Sequence, residues 1–365
     1  MTREGRPRHR QPGWPIIRPA PRQPADGPAG DAPAAACGYV RSMTPPAASP
    51  WPELPLAEWL PTRDTLHMWT QIAGKTLLAA CPPQNHWWHT TLLVSARGLA
   101  SRPALDGGRS FELEFDLIDH QLMVRVSDGR SKSLPLESRP VRDFYREYMS
   151  LLASLGIDVH IWTTPVEVPD PIPFDQDEVH HEYDRAAARR FWEVLRRCDA
   201  GFRTFGDGWL GKQSPVHFFW GSFDLASTRF SGRRAPERPG ADRVTREAYS
   251  HEVISFGFWP GGRMLGGARV DEPVFYAYAA PEPGGFREAR VAPAAARYDA
   301  RLGEFLLPYA AARSAQSPEA TLQAFCQSVY QAGASLGNWD RAALERGAAP
   351  PPQERAAHPE ASAGP

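Results

Sequence analysis

Much of what identifies a protein's chemistry is missing from this sequence, and each absence narrows the field. Its 41 Lys and Arg balance 42 Asp and Glu, a formal net charge of −1. No polyelectrolyte field is available to neutralise phosphates, so nucleic-acid binding is not expected. The four cysteines (Cys37, Cys81, Cys198, Cys326) stand singly without a CxxC pair. That removes a zinc ribbon or a disulfide framework and leaves free thiols in a reducing compartment. No apolar run approaches the ~20 residues that span a bilayer, and the arginine-bearing N-terminus lacks the apolar core of a secretory signal. A soluble, cytoplasmic protein with no membrane partner is expected. There is no GxGxxG, Walker loop or GxSxG elbow. The glycine-rich "GGRMLGG" at 261–267 lacks the required spacing, and "HEVIS" at His251 has Ser255 where zinc proteases carry a second His. No cofactor is predicted.

What is present is apolar content of 42% over 365 residues, enough for two domains of ordinary size. Residues 1–50 are rich in Pro, Arg, Ala and Gly without periodic apolar pattern, so disorder is expected, and either Met1 or Met43 is a plausible start. Residues 341–365, with "RGAAPPPQERAAHPEASAGP", are expected to be disordered on the same grounds. Between the tails the order of elements repeats. The helical "TRDTLHMWTQIAGKTLLAA" precedes a strand "HWWHTTLLVSARG", and "DRAAARRFWEVLRRCDAGF" precedes a strand "VHFFWGSFDLAS". Each is followed by further strands and by a helix ending in "ASLG", at Gly156 and at Gly337. Apolar stripes Val141, Phe144, Tyr148, Leu152 and Leu322, Phe325, Val329 mark those two helices. Pro140 and Pro318 suit first-turn positions, Ser317 suits an N-cap, and Gly156 and Gly337 suit left-handed helix ends. The expected fold is α+β: two degenerate tandem units, 51–170 and 171–340, each an antiparallel β-meander flanked by helices.

Strand parity separates the two units. In the first, Phe111, Leu113 and Phe115 oppose Glu112, Glu114 and Asp116, an ordinary half-buried hairpin with a solvated face. In the second, Ile254, Phe256 and Phe258 oppose His251, Ser255 and Trp259; Trp220, Ser222 and Asp224 share a face, as do Tyr276 and Tyr278. Aromatic bodies with polar tips suit a desolvated recognition surface. The same groups also suit a face covered by a loop or helix, or a protein interface. The first function hypothesis is a small-molecule binder or enzyme using this face, with His251 as general base and Asp224 as the orienting or acid group. Trp220, Ser222, Ser255, Trp259, Tyr276 and Tyr278 would line it, and Arg229 in "STRFSGRR" would hold an anionic ligand beside it. No reaction class follows. The second hypothesis is a non-enzymatic interaction module. His217 reads as a hydrogen-bonded residue at a core edge. Metal binding is not predicted: His86 and His89 of "HWWH" would face opposite ways in a strand. The acidic run "DQDEVHHEYD" is expected where a helix begins.

The stretches "PPQNHWWHTTLLVSARGL", "PVHFFWGSFDLASTRFSGRRAP", "REAYSHEV", "GFWPGG" and "FYAYAAPEPGGFREA" resemble an uncharacterised bacterial family, domain of unknown function 5996. The resemblance covers Trp51 to Leu344 and implies no activity, cofactor or catalytic residue.

Overall fold

Two antiparallel sheets, each with helices on one face, carry the chain in an α+β architecture. The computed structural model describes residues 51–263 and 269–347. The first half runs α1 (Leu56–Ala80), β1 (Leu93–Val94), β2 (Gly98–Ala100), β3 (Ala104–Asp106), β4 (Arg109–Asp116), β5 (Gln121–Val126), β6 (Ser131–Pro135) and α2 (Val141–Ser154). Its sheet has the order β1-β2-β4-β5-β6, with β3 also on β4. The second half runs α3 (Arg185–Gly206), β7 (His217–Phe219), β8 (Asp224–Arg234), α4 (Arg243–Ala248) and β9 (His251–Trp259). It continues through β10 (Gly262–Arg263), β11 (Arg269–Val270), β12 (Val274–Ala280), β13 (Arg297–Asp299) and β14 (Glu304–Pro308). The chain closes with α5 (Tyr309–Arg313), α6 (Pro318–Leu336) and α7 (Arg341–Leu344). This sheet has the order β13-β14-β12-β9-β8-β7, and β10 and β11 form a separate ribbon.

The expected alternation of burial holds in β4 and β5, whereas most of β8 and β9 is buried on both faces. Phe111, Leu113 and Phe115 of β4 are buried, and Glu114 on the other face binds Arg125 of β5 at 2.8 Å. The helix stripes are buried as well, Val141, Phe144, Tyr148 and Leu152 on α2 and Leu322, Phe325 and Val329 on α6. Helix α2 packs on α1 and β6, while α6 packs on α3, β9 and β12. The two sheets meet where Leu92 and Phe218 exchange backbone hydrogen bonds of 3.0 and 2.8 Å. The described residues fall in one compact unit.

Several local expectations are corrected. "HWWH" is not a strand: Asn85–Trp87 form a 3-10 turn with positive φ at His86 and Trp87. "VHFFWGSFDLAS" is two strands, because 220–223 turn the chain back and Phe223 takes a positive φ of 61°. Gly156 is left-handed (φ 73°), but at the end of α6 that role falls to Asn338 (φ 51°). Gly337 is small for another reason, since a Cβ there would stand 2.8 Å from the Gly333 carbonyl. Pro318 opens α6 behind the Ser317 cap as expected, whereas Pro140 is itself the N-cap of α2. The tail begins later than expected: α7 is helical, Leu344 is buried, and Tyr330 donates to Glu345 at 2.6 Å. The expectations for residues 1–50 and 348–365 lie outside the described residues.

Candidate functional site

The outer face of the second sheet is built as parity implies. Register pairs Val274 with Trp259, Tyr276 with Gly257 and Tyr278 with Ser255, and Ala226 with Gly257 and Thr228 with Ser255. Directly paired residues share a face, so Asp224, Ser255, Trp259, Tyr276 and Tyr278 do stand on one side. That side is largely covered: Asp224, Ser255 and Trp259 are buried. Two small apolar clusters close it, Trp259, Val270, Val274 and Leu306 at one end and Phe230, Val253 and Ala280 with Trp88 and Tyr249 at the other.

Between them lies a polar cluster centred on Asp224. Ser222 Oγ donates to one carboxylate oxygen and the Tyr276 hydroxyl to the other. Tyr276 reaches β8 from β12 by lying across β9, and only Gly257 leaves room: a Cβ there would be 2.2 Å from the ring. Trp259 Nε1 donates to the Ser222 carbonyl at 3.1 Å. Burial raises the Asp224 pKa against the pull of its two hydroxyl donors. Burial, reinforced by the Asp224 charge, pushes Glu167 and Glu304 up to about 7. Glu167 is an exposed residue, but its carboxyl rests on Gly221, where a Cβ would come 2.5 Å from Oε1. Ser255 bonds Thr228 at 2.8 Å, and the Tyr278 hydroxyl accepts from Tyr249 at 3.2 Å.

The other expected members go elsewhere. His251 and Asp224 do not meet: Asp224 lies opposite Trp259, one step beyond the Leu225–Phe258 pair, whereas His251 pairs with Arg234. Eight residues of β9 separate the two levels, about 26 Å at ~3.3 Å per residue. The proposed acid–base pair is therefore not formed. Trp220 turns inward because the strand ends at Phe219; its ring packs on Gly74 of α1 and its Nε1 donates to the Thr90 carbonyl at 2.8 Å. Arg229 lies on the helix-facing side, its guanidinium 3.6 Å from the Phe205 ring centre and 4.7 Å from those of Trp209 and Tyr330. It is a buried packing residue, not a group beside the polar face. His217 is fully buried, with Nε2 3.3 Å from Arg102 and its pKa pushed down to about 3 by burial.

A cleft that the strand pattern did not reveal adjoins the cluster. A strap without helix or strand, 157–183, runs along α1. Four polar residues spaced by four, Arg63, His67, Gln71 and Lys75, form one buried stripe of α1. Gln71 exchanges two hydrogen bonds with the Val166 backbone (2.7 and 2.8 Å), and Lys75 donates to the Thr164 carbonyl at 2.6 Å. His67 Nε2 donates to the Gly221 carbonyl at 2.9 Å, and burial keeps that ring neutral with a pKa of about 3. Above His67 the strap, α1 and the β10–β11 ribbon enclose about 160 Å3, lined among others by Arg63, His67, Met68, Val168, His180 and Arg263. His180 is held by Asp177 at 2.7 Å, a hydrogen bond that raises its pKa. The 220–223 turn separates this cleft from Asp224. The i, i+4 spacing of Arg63, His67, Gln71 and Lys75 was the available signal. Glu167 and Glu304 had none, because only the folded chain brings them near Asp224.

Among the described residues no group of three or more His, Cys, Asp or Glu is placed to hold a metal ion, and no helix is long and apolar enough to cross a membrane. No curated protein and no solved structure is significantly similar to the chain. The family model of unknown function DUF5996 matches residues 51–346, nearly all the described residues, and the chain belongs to that family.

Proposed function

We propose that the chain is a small-molecule-binding protein whose ligand occupies the cleft between α1, the strap and the β10–β11 ribbon. The carrying observation is convergence: residues from three separate segments line one concave space, the usual form of a ligand site. An enzyme of unassigned reaction fits within this reading, since carboxyls titrating near neutral pH suit proton transfer. The interaction-module reading has less support. Among the described residues the exposed large apolar side chains Leu78, Leu105, Leu210, Val244 and Leu336 sit on separate segments, and only Trp162 and Val179 share one. Contiguous patches, not single residues, mark interfaces. The test is a thermal-shift screen of metabolites on wild type and Leu60→Trp, which fills the cleft that Leu60 lines. Hits should vanish in Leu60→Trp and persist in the exposed control Leu210→Ser. A screen without hits, or hits indifferent to Leu60→Trp, would overturn the proposal.

A further inference from the structure

Three members of the α1 polar stripe use their donors on backbone carbonyls: Lys75 on Thr164, Gln71 on Val166 and His67 on Gly221. Arg63 stands one turn further along the same stripe and has no such carbonyl. It is only 5% exposed, yet Nη1 bonds to Asp64 alone, at 2.7 Å. Among the described residues its Nε is buried without a hydrogen-bond partner, while Nη2, which has no hydrogen bond to the protein, is not fully buried. Asp64 is itself one-third exposed and adjacent in sequence, so it neutralises one corner of the guanidinium and leaves Nε and Nη2 without a protein partner. The group is fixed in place. The Phe223 ring centre lies 5.4 Å from it, and a Cβ on Gly262 would stand 3.1 Å from Cζ. A buried guanidinium nitrogen without a partner is costly, because it forfeits its hydration. Arg63 is one of the residues that line the cleft described above.

We propose that this cleft binds a small molecule through a carboxylate or phosphate group, gripped by the Arg63 guanidinium. This rests on the small-molecule reading and names the chemistry of its ligand. Two parallel N–H donors match two oxygens of an oxyanion, a geometry that lysine cannot supply. Arg263 and Arg269 add positive charge to the wall, while Asp64 and Asp170 limit it, Asp170 lying 3.4 Å from Arg263. The space, about 160 Å3, has room for a compact acid.

The experiment is calorimetric titration of the full chain with inorganic phosphate and, separately, with succinate, against sodium chloride at matched ionic strength. Saturable binding of one probe is expected, and the tighter probe assigns the oxyanion. Affinity should fall at least tenfold in Arg63→Gln, fall less in Arg63→Lys, and stay unchanged in Arg146→Gln on the exposed face of α2. In anion-free buffer the melting temperature of Arg63→Gln should equal or exceed wild type, since an under-partnered charge has been removed. Neither probe binding beyond the chloride effect, or binding that survives Arg63→Gln, overturns the assignment. So does a large drop in the melting temperature of Arg63→Gln without anion, which would make the residue structural. If no anion binds but a neutral metabolite is lost in Leu60→Trp, the small-molecule reading stands and the oxyanion assignment falls.

Discussion

Replacing Gly257 by alanine tests the geometry that places Tyr276 on Asp224. Gly257 is not among the residues with positive φ, so its backbone accepts any side chain. Considered alone, the change should stabilise β9 by about 0.5–1 kcal/mol, the usual cost of glycine inside a strand. The ring of Tyr276 reverses that sign. A Cβ at 257 would lie 2.2–2.4 Å from three atoms of the phenol, which overpacks the face at a cost of about 1–3 kcal/mol. Moving the ring aside also withdraws a donor from the buried Asp224 carboxylate, a further ~1–3 kcal/mol. The net loss is about 1–5 kcal/mol, well above the gain. In a Tyr276→Ala background the ring is gone, and Gly257→Ala should then stabilise by the original ~0.5–1 kcal/mol. Urea unfolding followed by tryptophan fluorescence on wild type, both single variants and the double variant reads this coupling directly. Equal destabilisation by Gly257→Ala in both backgrounds would refute the crossing of β9 by Tyr276.

Glu304 is half-buried with its pKa raised from 4.5 to about 7. The folded state therefore holds a proton that the unfolded chain has lost, and stability should fall as pH rises from about 4.5 to about 7. The shift corresponds to about 3 kcal/mol at ~1.4 kcal/mol per unit; Glu304→Gln should flatten that part of the pH profile, and an unchanged slope would contradict the burial of this carboxyl. Gln71→Ala leaves the Val166 N–H and carbonyl without their partner, at about 1–3 kcal/mol. Limited proteolysis should then cut within 157–183 faster than in wild type, and equal rates would mean the strap is held elsewhere. Asp184 caps α3 by accepting from the Ala187 N–H at 2.7 Å, so Asp184→Ala should cost about 0.5–2 kcal/mol. A melting temperature unchanged in that variant would deny the cap.

Local patterns in the chain determined a good deal. Alternation in "HEVISFGFW" and "VFYAYA" separated Trp259, Ser255, Tyr276 and Tyr278 from Ile254, Phe256 and Phe258, because the period of two is a property of each extended strand by itself. The stripes of α2 and α6 and the cap at Ser317 were equally local. Parity says which face a residue takes, but not how far along the sheet it stands or what covers it. His251 and Asp224 share a face and lie at opposite ends, a separation set by the pairing of β8 with β9. The turn at 220–223 reset the alternation and sent Trp220 under α1 while leaving Asp224 on the outer face. Arg229 fell among Phe205, Trp209 and Tyr330, which come from α3, the segment after it and α6. The surroundings of Arg63, Glu167 and Glu304 were set only in the folded chain, by segments distant from each of them in sequence. Burial, partner and charge environment are sums over segments distant in sequence, and these only the tertiary structure decided.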